Sequence, residues 1–385
     1  MRHLDHRLHQ FLDGLDADGR RRRLRTVEPL AAGRVRIGGR EVVNFSSNDY
    51  LGLSRHPLLI ERAREWAARW GAGSAASRLV TGHLAALETI EARIAAAKGS
   101  EAALIFASGW QCNASVLPAL LDPTLWGEKP VVLADRLNHA SLHMGCQAAG
   151  VRQHRFRHND LGHLAELLEK PGPKLVATES VFSMDGDAAD VAELARLSAA
   201  HDAVLYLDEA HATGVLGANG FGLAVGHKVD IAMGTFSKAL GGFGAYVACS
   251  AAMREFLVNR ASGFIYATAL PPATLGAIDA AVELVPTLDA ERRKLAERAE
   301  FVRRSFRQAG LDTGLSSTQI VPVILGDERR TLEAAARLEE AGLLGIAIRP
   351  PTVPPGTSRI RFALSAAHVD ADVERLVAET IRVTR

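Results

Sequence analysis

A lysine, an aspartate and a histidine stand at the ends of two predicted strands. Lys238 follows the apolar segment IAMG (231–234) and two hydroxyl residues, Thr235 and Ser237, and it precedes a glycine-rich stretch at 241–244. A lysine in such a partly dry setting has a lowered pKa and acts as an amine nucleophile toward an aldehyde. The apolar segment before Lys238 disfavours the alternative of a solvated surface lysine. The neighbouring hydroxyl groups suit a phosphate.

Asp208 lies near the end of the second strand, AVLYLDEA (203–210), and His211 follows it. A carboxylate at the end of a buried strand is costly unless it meets a cation. The protonated pyridine nitrogen of pyridoxal phosphate (PLP) is such a cation, and His211 is within reach of the same ring. An aspartate that only caps the next helix is equally compatible with this segment taken alone.

Two upstream turns carry groups that suit the same cofactor. The turn at 108–110 leads from a strand into a helix, where free backbone N–H groups bind phosphate, and His139 is positioned to stack on a flat heteroaromatic ring. Taken singly, a tight turn without a ligand and an ordinary loop histidine explain these segments better. PLP accounts for both of them together with Asp208 and Lys238, which are 30 residues apart (238 minus 208).

Six short apolar runs predict the strands that hold these residues. They lie at 102–108, 131–135, 174–180, 203–210, 231–237 and 244–250. Helical stretches separate most of them, which is typical of an α/β protein with a mainly parallel sheet covered on both faces. The last two runs are close enough to be antiparallel. In such sheets ligands bind beyond the carboxyl ends of the strands.

The pattern changes after about residue 285, where a charged helix at 289–308 leads into a smaller α+β region. In this region the proline-rich segment 350–358 is expected to form an ordered turn between two strands. Near the start of the chain, residues 1–30 predict an amphipathic helix that ends in the basic run at 20–25, and a short strand pair follows at 34–45. The predicted division is an N-terminal helix and strand segment, a large cofactor-binding domain and a small C-terminal domain, at 1–45, 46–288 and 289–385.

Composition is typical of a globular enzyme. The chain has 385 residues, 48% of them hydrophobic, and its net charge of +1 does not favour a global nucleic-acid binder. Three widely spaced cysteines allow neither a disulfide framework nor a CxxC metal pair, so we expect no metal and a reducing compartment. The charged N-terminus lacks a secretory signal, and no apolar run reaches the roughly 20 residues of a membrane span. A cytoplasmic enzyme is therefore expected.

Six segments resemble the signatures of one enzyme family. They are NFSSNDYLGL (44–53), SRLVTG (77–82), TESVFSMDGD (178–187), LDEAHATG (207–214), TFSKALGG (235–242) and IRPPTVPPGTSRIRF (348–362). Together they resemble the α-oxoamine synthases, which are fold-type I PLP enzymes, from about Arg22 to the C-terminus. The resemblance implies a large PLP domain, a small C-terminal domain and a homodimer whose sites lie at the subunit interface.

The resemblance also implies a role for each matching residue. Lys238 would form a Schiff base with PLP and act in catalysis with Asp208, the partner of the pyridine nitrogen, and His139, which stacks on the ring. The remaining roles are His211 and Ser183 near the phenolic oxygen; Gly109, Trp110 and Thr235 at the phosphate; Thr268 at the phosphate of a neighbouring subunit; Arg361 at the substrate carboxylate; and Arg22 and Thr352 at the acyl substrate or product. The arginine assigned to substrate is one of the four at 20–23.

Within the family, the tail PPTVPPGTSRIRF most resembles the member that condenses L-alanine with a pimeloyl thioester in biotin biosynthesis. Glycine and serine users tend to have Gly-Thr where this chain has Gly82-His83. A synthase that joins glycine to a short acyl-CoA is the alternative. A non-catalytic PLP-fold protein is disfavoured because Lys238 is present. The acyl carrier, CoA or a carrier protein, stays open, and the basic run at 20–25 is either its contact or a solvated face.

Two departures from the family pattern add methyl groups near the expected site. Ala75-Ala76 stand where related sequences are often glycine-rich, and Ala212 replaces a frequent glycine. Both changes are expected to narrow the site.

Overall fold

The structure is a computed structural model that describes residues 2–17 and 20–385. Its helices are α1 (Arg2–Ala17), α2 (Pro57–Trp70), α3 (Ala85–Lys98), α4 (Gly109–Leu120), α5 (Pro123–Trp126), α6 (Ala140–Ala148), α7 (Leu161–Leu168), α8 (Val191–Ala200), α9 (Ala251–Arg260), α10 (Ser262–Ile265), α11 (Pro272–Leu284), α12 (Asp289–Gln308), α13 (Glu328–Glu340) and α14 (Asp370–Thr384). Its strands are β1 (Val27–Pro29), β2 (Arg34–Ile37), β3 (Arg40–Asn44), β4 (Ala102–Phe106), β5 (Val131–Asp135), β6 (Gln153–Phe156), β7 (Lys174–Glu179), β8 (Ala203–Asp208), β9 (Ile231–Thr235), β10 (Ala245–Cys249), β11 (Ile320–Gly326), β12 (Leu343–Leu344), β13 (Ile346–Ile348) and β14 (Ser358–Ala363). No helix within these residues has both the length and the apolar character that a membrane crossing needs.

Seven strands form the central sheet, in the order β4-β10-β9-β8-β7-β5-β6. The strands from β9 to β6 pair in parallel, and β10 pairs antiparallel with both β4 and β9. This confirms the predicted α/β class and the antiparallel final pair. Strand β6 was not predicted because its sequence, QHRF, is polar and places only Phe156 in the core at the edge of the sheet.

Helices cover both faces of this sheet, as its apolar strands require. Successive side chains of a strand point to opposite faces. On β8, Tyr206 packs in the core cluster that contains residues of α4 and α6, whereas Leu205 packs in the cluster that contains residues of α7 and α8. Both faces of the sheet are therefore buried in apolar core. A ligand site can form only at the polar ends of the strands.

Two smaller sheets flank the central one. The predicted strand pair near the N-terminus is confirmed as β2 and β3, and β12 joins it in parallel with Leu343 opposite Val43. Strands β11, β14 and β13 form the other sheet, in which β13 and β14 are antiparallel neighbours on either side of the expected turn at 350–358. The N-terminal strands thus share a sheet with the C-terminal region, and the three-domain division stays a prediction.

The helix predicted over residues 1–30 is shorter in the structure, so this prediction was wrong. Helix α1 ends at Ala17, residues 18 and 19 lie outside the described residues, and no helix contains the basic run at 20–25. Like charges at helical spacing repel one another. Four arginines of the run instead pair with carboxylates, namely Arg20, Arg21, Arg23 and Arg25.

A buried ion pair joins the end of α3 to the residue that follows β8. The side chains of Lys98 and Glu209 are 2% and 0% exposed and are in direct contact. Lys98 Nζ also donates to the carbonyl of Phe221 at 2.7 Å, and Glu209 Oε1 accepts from Ala224 N–H at 2.9 Å. This pair fixes the backbone beside Asp208, and removing one partner would leave the other charge buried and alone.

We expect Lys98→Met to lower the free energy of unfolding by about 3–5 kcal/mol, because Glu209 then stays buried without a cation. Denaturant unfolding measures this change. The exposed Lys129 offers a matched control, and Lys129→Met should stay within about 0.5 kcal/mol of the wild type. The double variant Lys98→Met/Glu209→Gln should regain part of the loss. A single-variant loss below about 1 kcal/mol would contradict this account.

Candidate active site

Asp208 and Glu179 are carboxyl groups at the ends of neighbouring strands. They lie opposite each other on the parallel strands β8 and β7, and both are buried. Asp208 accepts hydrogen bonds of 2.9 Å from Asn113 Nδ2 and from the N–H of Ala210. Turns rather than a helix follow it at 210–215, so it does not cap a helix. Within the described residues its partners are these neutral donors, and a buried carboxylate of this kind favours a cationic ligand.

Lys238 lies just beyond β9. We call the polar side chains around its amine, together with Asp208 and Glu179, the Lys238 cluster. Its Nζ is 2.8 Å from His211 Nε2. Burial lowers the pKa of Lys238 to about 8, although the charges of Asp208 and Glu179 oppose this shift. The pKa is lowered in the direction that the sequence predicted, and the amine is accessible in its uncharged form near neutral pH.

His211 is held between Lys238 and Tyr50. Its Nδ1 is 2.6 Å from the Tyr50 hydroxyl, which in turn donates to Asn48 Oδ1 at 3.0 Å. Burial, followed by the charge of Lys238, holds the pKa of His211 well below its ordinary value, so the ring is neutral. Because a neutral imidazole has one donor and one acceptor nitrogen, His211 links the tyrosine to the lysine.

Arg361 on β14 reaches the same cluster from the C-terminal region. Its Nε donates to the Ser183 carbonyl at 2.5 Å, and its Nη2 lies 3.1 Å from Asn48 Oδ1 and 3.4 Å from the Tyr50 hydroxyl. Ser183 therefore meets Arg361 through its main chain. Since Arg361 is buried and has no carboxylate partner within the described residues, it suits an anionic ligand.

The N-terminus of α4 supplies free donors at the same edge of the sheet. Ser108 caps the helix, with its Oγ accepting from Gln111 N–H at 3.1 Å. The N–H groups of Gly109 and Trp110 lie in the first turn, where a helix offers no acceptor of its own. Such N–H groups, together with the positive end of the helix dipole, bind anions.

Thr235 ends β9 on the neighbouring side of this anion site. Its Oγ1 donates to the Gly244 carbonyl at 2.8 Å and lies 2.8 Å from Ser237 Oγ. Ser237 is exposed, so its hydroxyl is accessible to a ligand. The phosphate contact expected of Thr235 stays a prediction.

His139 caps the N-terminus of α6 and contacts Glu179, one of the two carboxyl groups. Its N–H donates to Glu179 Oε1 at 2.5 Å, its Nδ1 is 2.7 Å from Ser141 Oγ, and its ring meets that of Trp110 edge-on with centroids 6.0 Å apart. Burial lowers the pKa of His139, and burial together with the charge of Asp208 raises the pKa of Glu179 well above its ordinary value.

Three predicted site residues lie outside this cluster. Thr268 is exposed and forms an isolated bridge with Ser77, and Thr352 is exposed in the turn before β14. Arg22 is exposed too, and it forms no ion pair with any described carboxylate, in contrast to Arg20, Arg21 and Arg23. None of the three hydrogen-bonds to the Lys238 cluster within the described part of the chain.

The two departures from the family pattern have different structural settings. Ala75 has a φ of 56°, a left-handed conformation that favours glycine. Glycine would adopt this conformation without strain. Ala212 is fully buried in the main core, and the expected narrowing of the site stays a prediction.

Several polar residues of the cluster were not singled out from the sequence. Asn48 and Tyr50 stand in the NDYLGL segment and Glu179 in TESVFSMDGD, so the segments that carried the resemblance contained them. Asn113 and Ser141 lie one helical turn inside α4 and near the start of α6, where only tertiary contacts identify them.

The charges of this donor set match those of PLP. The free N–H groups of α4 suit its phosphate, the uncompensated Asp208 suits a pyridinium nitrogen, and the amine of Lys238 suits an aldehyde. No group of three or more metal-ligating side chains occurs within the described residues. The residues present thus fit the cofactor that the sequence predicted.

Comparison with known proteins identifies the family. The family model for aminotransferase class I and II matches residues 40–379. A protein of Paramagnetospirillum magneticum, provisionally named an 8-amino-7-oxononanoate synthase, is 66% identical over 98% of this chain and 97% of its own length. The 8-amino-7-oxononanoate synthase of Gluconacetobacter diazotrophicus is 59% identical over 95% of this chain and 94% of its own.

Among solved structures, a serine palmitoyltransferase from S. paucimobilis with a bound PLP–myriocin aldimine has a TM-score of 0.89 at 26% identity. The alignment covers 98% of this chain and 96% of that one. The resemblance to PLP enzymes of fold-type I is therefore confirmed, and the chain belongs to the aminotransferase class I and II family.

Proposed function

We propose that the protein is a PLP-dependent acyltransferase that condenses L-alanine with a pimeloyl thioester to give 8-amino-7-oxononanoate, in biotin biosynthesis. A bond forms between the alanine α-carbon and the thioester carbonyl carbon. The C–S bond breaks to release the thiol, and the alanine carboxylate leaves as carbon dioxide. The observation that carries this proposal is the 66% and 59% identity, over nearly the whole chain, with proteins that bear this synthase's name.

Different residues would bind the three parts of PLP, which are its phosphate, its pyridine ring and its phenolic oxygen. The N–H groups of Gly109 and Trp110 and the hydroxyl of Thr235 would hold the phosphate. Asp208 would keep the proton on the pyridine nitrogen, and His139 would stack on the ring. His211 and Ser183 would serve the phenolic oxygen. When bound, PLP supplies an aldehyde that combines with amines and a ring that accepts the electrons of a developing carbanion.

Lys238 is the group that moves the proton. With a pKa of about 8, its amine holds a lone pair in an appreciable fraction of molecules at neutral pH and can take the alanine α-proton. Neutral His211, 2.8 Å away, keeps the amine directed without adding a charge. His139 is positioned to assist protonation or to orient the acyl group.

Arg361 is the proposed contact of the alanine carboxylate. Its Nε and Nη2 are held by the Ser183 carbonyl, Asn48 and Tyr50, so its orientation is set before substrate binds. A planar guanidinium binds a carboxylate through two parallel hydrogen bonds. This anchor would keep the α-carbon of alanine near Lys238 until the carboxylate leaves as carbon dioxide.

A homodimer would complete the site. The exposed Thr268 lies beside exposed apolar side chains, those of Leu79, Val80 and Tyr266, on segments joined by the Ser77–Thr268 bridge. Exposed apolar residues grouped in this way favour a protein interface. A second copy on this face would cover them and bring Thr268 of one subunit to the phosphate of the other.

The substrate assignment can be tested by thiol release. Purified enzyme is supplied with L-alanine, glycine or L-serine, each with pimeloyl-CoA or acetyl-CoA, and the free thiol and the product are measured. We expect turnover with L-alanine and pimeloyl-CoA, and loss of turnover by about 10²–10⁴-fold in Lys238→Ala. The exposed Lys228 supplies the control, since Lys228→Ala should turn over normally.

Other outcomes separate the alternatives. Turnover with glycine and acetyl-CoA only would keep the family and move the substrate assignment to a glycine-using synthase. Pimeloyl-acyl carrier protein, tested beside pimeloyl-CoA, distinguishes the two acyl carriers. Normal turnover of Lys238→Ala would refute the role of the lysine, and binding of PLP without turnover of any pair would favour a non-catalytic protein.

The lowered pKa of Lys238 predicts how PLP capture depends on pH. Below its pKa the amine is protonated and cannot attack the aldehyde, so the rate of PLP uptake by apo-protein should rise with pH and level off above about pH 8. An ordinary lysine would extend the rise to about pH 10.4. Stopped-flow absorbance measures the rate. Pyridoxine phosphate, which lacks the aldehyde, should show no such step, and a rise that continues to pH 10 would contradict the burial of this amine.

Arg22 is proposed to contact the acyl substrate, and its neighbour Arg23 supplies a matched control. Arg23 pairs with Asp16 at 3.4 Å, whereas Arg22 has no described carboxylate partner. We expect Arg22→Ala to raise the KM for pimeloyl-CoA about tenfold without changing kcat, as loss of one charged contact would. Arg23→Ala should change KM by less than about twofold. Equal effects of both variants would contradict a specific contact of Arg22 and would indicate that the basic run attracts the substrate only by its overall charge.

A further inference from the structure

Asn113 connects two groups of the proposed site through one side-chain amide. It lies on α4, is fully buried, and its Nδ2 is 2.9 Å from both Asp208 Oδ2 and Ser141 Oγ. Its Oδ1 accepts a hydrogen bond from the Tyr206 hydroxyl at 2.6 Å. Residues of α4, α6 and β8 therefore meet at this amide, and all of its polar atoms are engaged.

Asp208 determines which way the amide faces. An ionised carboxylate accepts hydrogen bonds and donates none, so the amide oxygen cannot face it without repulsion. The nitrogen of Asn113 must point toward Asp208, and its two hydrogens then go to Asp208 Oδ2 and Ser141 Oγ. The hydroxyl of Tyr206 is left to donate to the amide oxygen.

The position of the Ser141 hydroxyl hydrogen follows from these contacts. Its Oγ accepts from Asn113, so its own O–H is free to donate to His139 Nδ1, 2.7 Å away. The main-chain N–H of Ser141 points to the same ring nitrogen at 3.3 Å. A nitrogen that faces two donors must carry a lone pair and no hydrogen. The hydrogen of the neutral His139 ring therefore lies on Nε2.

Two observations support a neutral His139. Burial of the ring lowers its pKa, and a second proton on Nδ1 would be placed against the two donors of Ser141. The network thus opposes the imidazolium form and the alternative tautomer by the same contacts.

We propose that Asn113 and Ser141 are positioning residues that hold the Asp208 carboxylate and fix His139 as a hydrogen-bond donor at Nε2. The inference rests on the proposed function, in which Asp208 meets the pyridine nitrogen and His139 lies against the cofactor ring. A substitution of Asn113 should alter both the hydrogen bonding of Asp208 and the tautomer of His139. A substitution of Ser141 should alter the tautomer of His139 alone, because Asp208 keeps its contact with Asn113.

The tautomer of His139 can be read directly by NMR. Holoenzyme is labelled with ¹⁵N-histidine, and His139→Gln identifies the signal. The nitrogen shifts then report which ring atom carries the hydrogen. We expect Nε2 to be protonated and Nδ1 to be bare in the wild type. Ser141→Ala should give a mixture of tautomers, and Ser141→Thr, which keeps the hydroxyl, should restore the wild-type pattern.

PLP affinity separates the two positioning residues. Asn113→Leu should give the same tautomer mixture as Ser141→Ala and should also raise the Kd for PLP about tenfold, because Asp208 loses a donor to its charge. Ser141→Ala should leave that Kd within about twofold. Ser115→Ala is the matched control on α4, since among the residues that the structure describes Ser115 Oγ donates to the Gln111 carbonyl alone, at 2.5 Å, and it should change neither readout.

The outcomes decide the proposal without relying on turnover. A hydrogen on Nδ1 in the wild type, or an unchanged tautomer in Ser141→Ala, would overturn it even if Asn113→Leu failed to fold. A wild-type PLP affinity in folded Asn113→Leu would remove the link to Asp208. An enzyme that shows the expected tautomer but does not join L-alanine to pimeloyl-CoA would contradict the proposed function and leave this inference standing.

Discussion

Two carboxyl groups at the ends of adjacent parallel strands set the electrostatics of the whole site. Asp208 and Glu179 are opposite each other in register, and two buried charges at that spacing would repel strongly. The structure treats them differently. Asp208 receives two N–H donors, whereas burial and the neighbouring charge raise the pKa of Glu179 well above its ordinary value. The acidic pair is therefore asymmetric, and Asp208 is the member that we propose as the partner of a pyridine nitrogen.

The protonation states of the other groups depend on this carboxyl pair and on burial. Lys238 is shielded from water, yet the acidic pair keeps its pKa from falling further than about 8. His211 stays neutral because a cation on each side, Lys238 and Arg361, adds to the effect of burial. The result is an amine, a neutral imidazole and a fixed guanidinium arranged near the two carboxyl groups. Each group keeps the protonation state that its proposed role requires because of its neighbours.

Most of the fold and the central residues of the site were predictable because local patterns encode them. Apolar runs located the strands, and the rule that parallel strands end at one edge brought Asp208 and Lys238 together. The polar edge strand β6 and the end of α1 were missed, since neither has an apolar pattern that marks it. Asn113 was not foreseeable either, because its partners Asp208 and Ser141 are 95 and 28 residues away in the chain. Periodicity reports which face of an element is buried, but not which polar atoms meet there.

The parallel pairing of β12 with β3 has a consequence for how the chain assembles during synthesis. Val43 is fully buried, and its strand partner Leu343 follows 300 residues later (343 minus 43). At typical ribosomal speeds of about 5–20 residues per second, the N-terminal hairpin waits roughly 15–60 s for the strand that covers its edge. During that interval β3 offers an open edge and an unburied valine to other nascent chains. The hairpin of β2 and β3 is therefore completed only after strands β4 to β11 have been synthesised.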